Sequence, residues 1–443
     1  MFMLNWFLTH TPLLYLTQSL WRDEAFSALV AQRPITWIVQ SVTFEPPVYY
    51  TLLHYWTRIF GTSEIAMRSL SLLGFALATG IVIQWSEKLF RKSWLSVLLP
   101  LLFFFNPMLL YYAFEVRTYG WYIFFATLSM YAYLERRWRL YILATILGFY
   151  THSYFLIVPM VQIAHWLLTT VFPWIGWKKF SSHAIRDPFF HASIINGLII
   201  APWLIRIAQV SSKLKDSWYF PVDFHLIRSV VGNMFLGYEG TPWYLWDYTA
   251  ALSVALILLF AIAMRPKKNR RITLYFALSV FLPLAFVIGI SFIKPLFVNR
   301  YLIPVAIAQV FLLAYATSAV GKRSAQYVLG VCLVLFSIGF NLWYPKEHQK
   351  VNIRRTLAEI NTLARQGDVV LATSPLVLFE SIYYSTNPSR VYLYNPSGSP
   401  FPWYVGDTIF DKNKVAVDLP LYPIQAFLVH EDGSYDVAYR TTK

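Results

Sequence analysis

Apolar residues fill this chain in long blocks parted by short polar stretches. Ten blocks read Met67–Ser86, Trp94–Tyr112, Tyr119–Leu134, Leu140–Tyr150, Phe155–Val171, Phe189–Ile205, Leu245–Met264, Ile272–Ser291, Tyr301–Val320 and Ala325–Trp343. A helix needs about 20 such residues to cross a bilayer core, so the pattern predicts membrane spans. Leu140–Tyr150 is short and is expected to extend through Trp138 and His152. Residues 2–20 are also apolar but broken by Asn5, His10 and Pro12. They lack the basic start and small-residue cleavage site of a signal peptide, and read as a first span. The count is then about eleven.

Two regions depart from this pattern. Residues 21–66 form a long loop whose pieces Ala25–Gln32 and Ile35–Thr43 are too short to cross and are spaced like interfacial helices. Val48–Phe60 follows Pro46-Pro47, which suits a helix start. Residues 345–443 read as a small α/β domain outside the membrane, following a transmembrane domain over 1–344. An amphipathic helix over Arg354–Arg365 stops at Gly367. Asp368–Thr373, Arg390–Asn395, Lys414–Asp418 and Ala426–Glu431 alternate like strands, with a hairpin signal at Asp432-Gly433.

Composition sharpens the class. The chain of 443 residues is 57% hydrophobic and only 13% charged, against about 25% charged in soluble domains. Its mean hydropathy is +0.48. The net charge of +15 does not mark a nucleic-acid binder, because 27 of the 37 Lys and Arg but only 12 of the 22 Asp and Glu lie in residues 1–344. Sixteen of those basic residues crowd Glu87–Lys92, Glu135–Arg139, Pro173–Pro188, Arg265–Arg271 and Gly321–Ser324. Short basic loops face the cytoplasm. Asp23-Glu24, Glu115–Arg117, Thr151–Tyr154, Gln209–Tyr244, Lys294–Arg300 and the C-terminal domain are then expected on the outer face of a cytoplasmic membrane. The single Cys332 rules out an internal disulfide framework.

Ionisable groups at a membrane boundary are costly and point to function. Asp23 and Glu24 are adjacent in a chain poor in acids, and Glu45 precedes a double proline. Two arginines are expected at outer span ends, in Glu115-Val116-Arg117-Thr118-Tyr119 and Asn299-Arg300-Tyr301. A guanidinium fork suits a phosphate, although an Arg beside an aromatic ring is also an ordinary interface anchor. His152, in Thr151-His152-Ser153-Tyr154, reads as a polar interface residue or a sugar or metal contact. There is no Cys/His cluster at zinc spacing and no P-loop.

The spacing Trp21-x-Asp23-Glu24-Ala25, then Pro46-Pro47-x-Tyr49-Tyr50, Phe60-Gly61-Thr62-Ser63-Glu64 and Arg68-Ser69-Leu70-Ser71 resembles the C-type (GT-C) membrane glycosyltransferases. That superfamily includes protein O-mannosyltransferases, the lipid A aminoarabinose transferase and rhizobial-type core galacturonosyltransferases. The resemblance covers about residues 1–345. It implies an inverting transfer of a sugar from a polyprenyl-phosphate donor to a lipid, glycan or protein acceptor. Asp23 matches the family's catalytic acid, with Glu24 orienting. Arg117, Tyr119 and Arg300 would bind the donor phosphate, and Glu45, Tyr49, Glu115 and His152 would position substrate. Some relatives bind a divalent cation near the first-loop acids, which here would fall to Asp23 and Glu45. Where the aminoarabinose type carries an extra Lys before the prolines, this chain does not, so the sugar stays open. A transporter or flippase is the alternative; acids concentrated in one outer loop, without paired internal repeats, favour the enzyme.

Overall fold

The structure, a computed structural model, describes residues 2–91, 93–171, 185–212, 222–237 and 243–441. Lys92, most of Pro173–Pro188 and part of Gln209–Tyr244, which carry some of the orientation argument, lie outside the described residues. The chain forms two compact units. One comprises Met1–Val42, Tyr49–Leu70 and Tyr344–Lys443; the other comprises Thr43–Val48 and Ser71–Trp343. The grouping of the N-terminal segments with the C-terminal region crosses the expected division at 344/345.

The protein is a polytopic helical membrane protein. Among the described residues, seven helices are long and apolar enough to cross: Glu64–Phe90, Ser153–Val171, Pro188–Gln209, Trp246–Ala263, Lys267–Ser291, Asn299–Ala319 and Arg323–Glu347. Leu95–Phe104 and Pro107–Ala113 make an eighth if taken as one span bent by 51°. The bend falls where Asn106 caps the second piece, its side chain accepting from Leu109 N–H at 3.0 Å, and Pro107 opens it.

Among the described residues, the other expected spans are shorter or divided helices. Residues 2–20 give two short helices, Phe2–His10 and Leu14–Thr17, because Pro12 lacks an N–H and biases Thr11 away from helix. Tyr119–Leu134 and Trp138–Phe149 have 16 and 12 residues. Within the expected outer loop Gln209–Tyr244 lies a further helix, Phe224–Leu236, capped by Asp223 and ended by Gly237 at φ 79°. It packs on Trp246–Ala263, where Gly232 N–H donates to Ser253 Oγ at 2.7 Å.

Ile303–Ala319 is the core of its unit, buried on every side along nearly all of its length. Residues from Ile303 to Ala319 are almost all apolar or small, as a fully enclosed helix requires. Glu64–Phe90 and Tyr119–Leu134 touch backbone to backbone: a Cβ on Gly120 would lie 2.0 Å from the Ser71 carbonyl oxygen. Small residues allow such approaches in membrane bundles.

The other unit carries a five-stranded sheet of order β3-β2-β1-β4-β5, with β1 Val369–Ala372, β2 Val391–Tyr394, β3 Val415–Ala416, β4 Ala426–Val429 and β5 Tyr435–Ala438. All neighbours are parallel except β4 and β5, which close the hairpin at Gly433. The helix Pro375–Tyr384, entered after β1, packs against Arg22–Ala31, with Phe26 and Phe379 ring centroids 5.9 Å apart.

Candidate functional site

In the membrane unit, an aromatic nest surrounds two arginines. Arg117 sits in the turn between Pro107–Ala113 and Tyr119–Leu134, its side chain only 5% exposed. Ser71 Oγ donates to its carbonyl at 3.1 Å, which fixes the turn against Glu64–Phe90. Its Nη2 donates to Glu45 Oε1, and its guanidinium lies 5.9 Å from the Tyr119 ring centroid. Arg300, also buried, occupies the helical turn Asn299–Leu302 that leads into the core helix, 5.6 Å from the Tyr301 ring. Both are thus held at helix entrances by local backbone rather than on long mobile loops.

His152 lies between them. It stacks on Tyr122 with centroids 4.7 Å apart and planes 2° from parallel, and stands 5.0 Å from Tyr301. Its Nδ1 accepts from Tyr154 N–H at 3.2 Å, so the ring proton belongs on Nε2. Burial, then the positive charges of Arg117 and Arg300, push its pKa down to about 3. His152 is therefore neutral across the physiological range and adds no charge to the nest. Tyr122 Oη donates to the Tyr301 carbonyl at 3.0 Å, and Tyr154 Oη to that of Leu296 at 2.9 Å. The Tyr119 hydroxyl is wholly buried and has no hydrogen-bond partner among the described residues. A buried, unsatisfied hydroxyl is costly, and a phosphate or sugar oxygen would satisfy it. Glu115, 2% exposed, adds a carboxylate to the same neighbourhood.

The other unit holds the first-loop acids. Asp23 and Glu24 fall in the first turn of Arg22–Ala31, where a helix N-terminus favours negative charge. Glu24 is fully buried. Arg68 donates to both of its oxygens, Nε to Oε1 at 2.9 Å and Nη2 to Oε2 at 2.7 Å, and Lys350 Nζ donates to Oε2 at 3.0 Å. Trp21 N–H adds a contact at 3.3 Å. Arg68 also donates to the carbonyls of Leu16, Gln18 and Ser19. This is the geometry of an anchor for the chain between residues 16 and 24. Asp23 is 8% exposed and accepts from Arg22 Nε at 2.8 Å. Glu380, on Pro375–Tyr384, is buried close to Arg22, Asp23 and Glu24, and burial raises its pKa to about 8.

Of the residues singled out in sequence, the membrane unit brings together Glu45, Glu115, Arg117, Tyr119, His152 and Arg300. Asp23, Glu24 and Tyr49 belong to the other unit, Tyr49 buried beside Tyr50. Glu45 is engaged by Arg117 and Asp23 by Arg22, and among the described residues no three His, Cys, Asp or Glu side chains converge. The sequence reading assigned no role to Arg68, Lys350, Glu380, Tyr122, Tyr154 or Tyr301. Arg68 carried a signal, as an arginine inside an apolar block and in the motif Arg68-Ser69-Leu70-Ser71, while Tyr154 and Tyr301 stood in the motifs of His152 and Arg300.

No protein-family model and no curated protein matches the sequence. Solved structures do. The crystal structure of ArnT from Cupriavidus metallidurans in the apo state superimposes with a TM-score of 0.64 at 13% identity, over 96% of this chain and 91% of that one. The structure of the same protein bound to undecaprenyl phosphate gives 0.60 at 14% identity, over 97% and 91%. At such identities the similarity shows the fold alone: this chain has an ArnT-type fold.

Proposed function

We propose that this protein is an inverting membrane glycosyltransferase. It takes a sugar from a polyprenyl-phosphate carrier and gives it to a lipid, glycan or protein acceptor at the outer face of the cytoplasmic membrane. The observation that carries the reading is the pair of buried guanidiniums, Arg117 and Arg300, beside the orphaned hydroxyl of Tyr119, in a fold shared with a protein solved with undecaprenyl phosphate. Neutral His152 leaves the two arginines as the cations of the nest.

In the proposed reaction an acceptor hydroxyl oxygen bonds to the anomeric carbon as the bond from that carbon to the phosphate oxygen breaks. The phosphate leaves with the electron pair, and its growing charge is matched by Arg117 and Arg300. The hydroxyl proton goes to a carboxylate base, for which the resemblance of Trp21-x-Asp23-Glu24-Ala25 to the glycosyltransferase motif offers Asp23 as the candidate. Glu24, saturated by Arg68 and Lys350, anchors the Asp23 turn. The basic bias of the short loops supports the outer placement.

The test is chemical. Membranes of a deletion strain, compared with the parent by mass spectrometry, should lack one glycoconjugate. The purified protein should then release polyprenyl phosphate from the matching donor, with inversion at the anomeric carbon. Movement of the intact lipid across the bilayer without glycoconjugate formation would favour a flippase instead.

A further inference from the structure

The chain that delivers Asp23 has no ladder of its own. Residues 18–21 run between the helices Leu14–Thr17 and Arg22–Ala31 without helix or strand, so their backbone polar groups need partners from elsewhere. The C-terminal region supplies them. Leu20 is fully buried, and its N–H donates to Tyr384 Oη, 364 residues on, at 2.7 Å. Arg354 Nη2 donates to the Thr17 carbonyl at 3.2 Å, and Ser19 Oγ accepts from Arg354 N–H at 3.2 Å. The Glu380 carboxyl accepts from the backbone of Arg22, the first residue of its helix, whose N–H has no partner within that helix. Tyr384 is itself held in aim, since its Oη donates to Glu64 Oε1 at 2.9 Å. Behind this contact the packing is close: a Cβ on Gly406 would lie 2.5 Å from the Phe26 ring and 2.9 Å from that of Phe379.

The spacing of the two grips fits the chain they hold. Glu380 and Tyr384 are four residues apart on Pro375–Tyr384 and share a face, with about 5.4 Å between successive turns. Trp21, between Leu20 and Arg22, is extended at φ −95° and ψ 170°, and two extended residues span about 7 Å. We propose that the helix Pro375–Tyr384 is a splint for the proposed base, with Tyr384 and Glu380 as positioning residues: they hold the backbone of Leu20 and Arg22 so that the carboxylate of Asp23 keeps a fixed aim at the acceptor hydroxyl. The proposal rests on the reading of Asp23 as that base. A reacting group misplaced by about 1 Å costs on the order of a hundredfold in rate. Burial keeps a proton on Glu380 at neutral pH, so the grip adds no negative charge beside Asp23. The sheet region thus acts on the reaction through backbone geometry.

The experiment uses the full chain in nanodiscs. Turnover is read as release of undecaprenyl phosphate from the donor that the deletion strain identifies, binding with undecaprenyl phosphate itself, and local order by amide hydrogen exchange. Tyr384→Phe removes one oxygen. It should lower kcat roughly ten- to a hundredfold, leave KM and undecaprenyl phosphate affinity near wild type, and speed exchange in residues 18–24 while Glu64–Phe90 and the sheet keep their protection. Glu380→Leu should act in the same way, and Glu380→Gln, which keeps the accepting oxygen, should recover most of the loss. The two positions are independent arms, so a variant that fails to fold leaves the other to decide. Tyr435→Phe is the control: it breaks a bond to Glu359 Oε1, 2.9 Å, in the same region, and should change none of these readouts. Wild-type kcat in the folded variants, or a loss of turnover in step with lipid binding and with protection throughout the chain, would overturn the proposal and leave the glycosyltransferase reading standing. Full turnover in Asp23→Asn would remove the base and its splint together. No release of undecaprenyl phosphate by the wild-type protein would overturn both readings.

Discussion

Glu24 and Arg68 stand 44 residues apart and meet at two points, 2.9 and 2.7 Å, with both side chains fully shielded from solvent. The pair joins the turn that carries Asp23 to the start of Glu64–Phe90. Breaking a buried ion pair strands a charge and costs about 3–5 kcal/mol. Glu24→Gln and Arg68→Ala are therefore expected to lower the thermal unfolding midpoint and the yield of folded protein. Arg68→Lys should recover only part of the loss, since a lysine cannot span both oxygens and three carbonyls. A Glu24→Gln protein with wild-type melting would remove the anchor role.

Asp23 should behave in the opposite way. It lies beside that anchor and accepts from Arg22 of the same turn. Asp23→Asn keeps the shape, so the protein should fold with an unchanged melting profile. Loss of the base should cut glycosyl transfer by roughly 10²- to 10⁴-fold, with little change in undecaprenyl phosphate binding. The pairing of an unchanged melt with lost turnover is what separates Asp23 from Glu24. Full activity in Asp23→Asn would sink the assignment.

These two neighbours mark how far the sequence could be read. The apolar blocks located most of the long helices to within a few residues, because a bilayer imposes length and hydropathy directly on the chain. Val48–Phe60 and four strands of the sheet were legible for the same local reasons. Adjacent acids, however, look alike in sequence; what parts Glu24 from Asp23 is an arginine 44 residues away and a lysine 326 residues away. Tyr122 was also invisible, since aromatic residues are abundant and only packing selects the ones that enclose His152. The first apolar segment, read as one span, is divided in the structure at Pro12, whose missing N–H interrupts the helix ladder.

The two arginines allow a separate check. Arg117 and Arg300 are both buried among aromatic rings, and in the proposed function their forks receive the donor phosphate. Loss of one charge-assisted hydrogen bond costs about 1.5–3 kcal/mol. Arg300→Lys should therefore weaken undecaprenyl phosphate binding roughly ten- to a hundredfold, measured in nanodiscs. Arg117→Lys should fall in the same range. Wild-type affinity in both variants would reduce the arginines to interface anchors.

Gly120 tests the frame that carries Arg117. A methyl group there would meet the Ser71 carbonyl oxygen at 2.0 Å, and one on Gly74 would meet the Gly120 carbonyl oxygen at 2.7 Å. Neither contact is with a flexible side-chain end. Gly120→Ala should separate Glu64–Phe90 from Tyr119–Leu134 and cost about 1–3 kcal/mol. Because Arg117 lies three residues away and is tied to Ser71, lipid binding should weaken along with the melt. Gly80→Ala, on the same long helix with open space at its Cβ, is the control and should leave both unchanged.

Glu380 predicts a pH dependence of stability. Its carboxyl is buried on the helix that packs against Arg22–Ala31, and the charged groups facing it are Arg22, Asp23 and Glu24. Burial dominates and lifts its pKa from 4.5 to about 8; Arg22 opposes the shift, and the two acids add to it. The folded protein thus keeps a proton that the unfolded chain gives up above about pH 4.5. Stability rises with pH only where the unfolded state binds more protons. Here the folded state binds more, so this group's contribution is complete at low pH and drains away as pH climbs from about 4.5 to 8. The loss is on the order of several kcal/mol over that window. Glu380→Gln cannot ionise. It should match or fall slightly below wild type at pH 5, and exceed it at pH 8.5, in thermal unfolding of the full chain followed by tryptophan fluorescence. Parallel profiles for the two proteins across that range would show that Glu380 is ionised in the folded state, with Arg22 outweighing the burial.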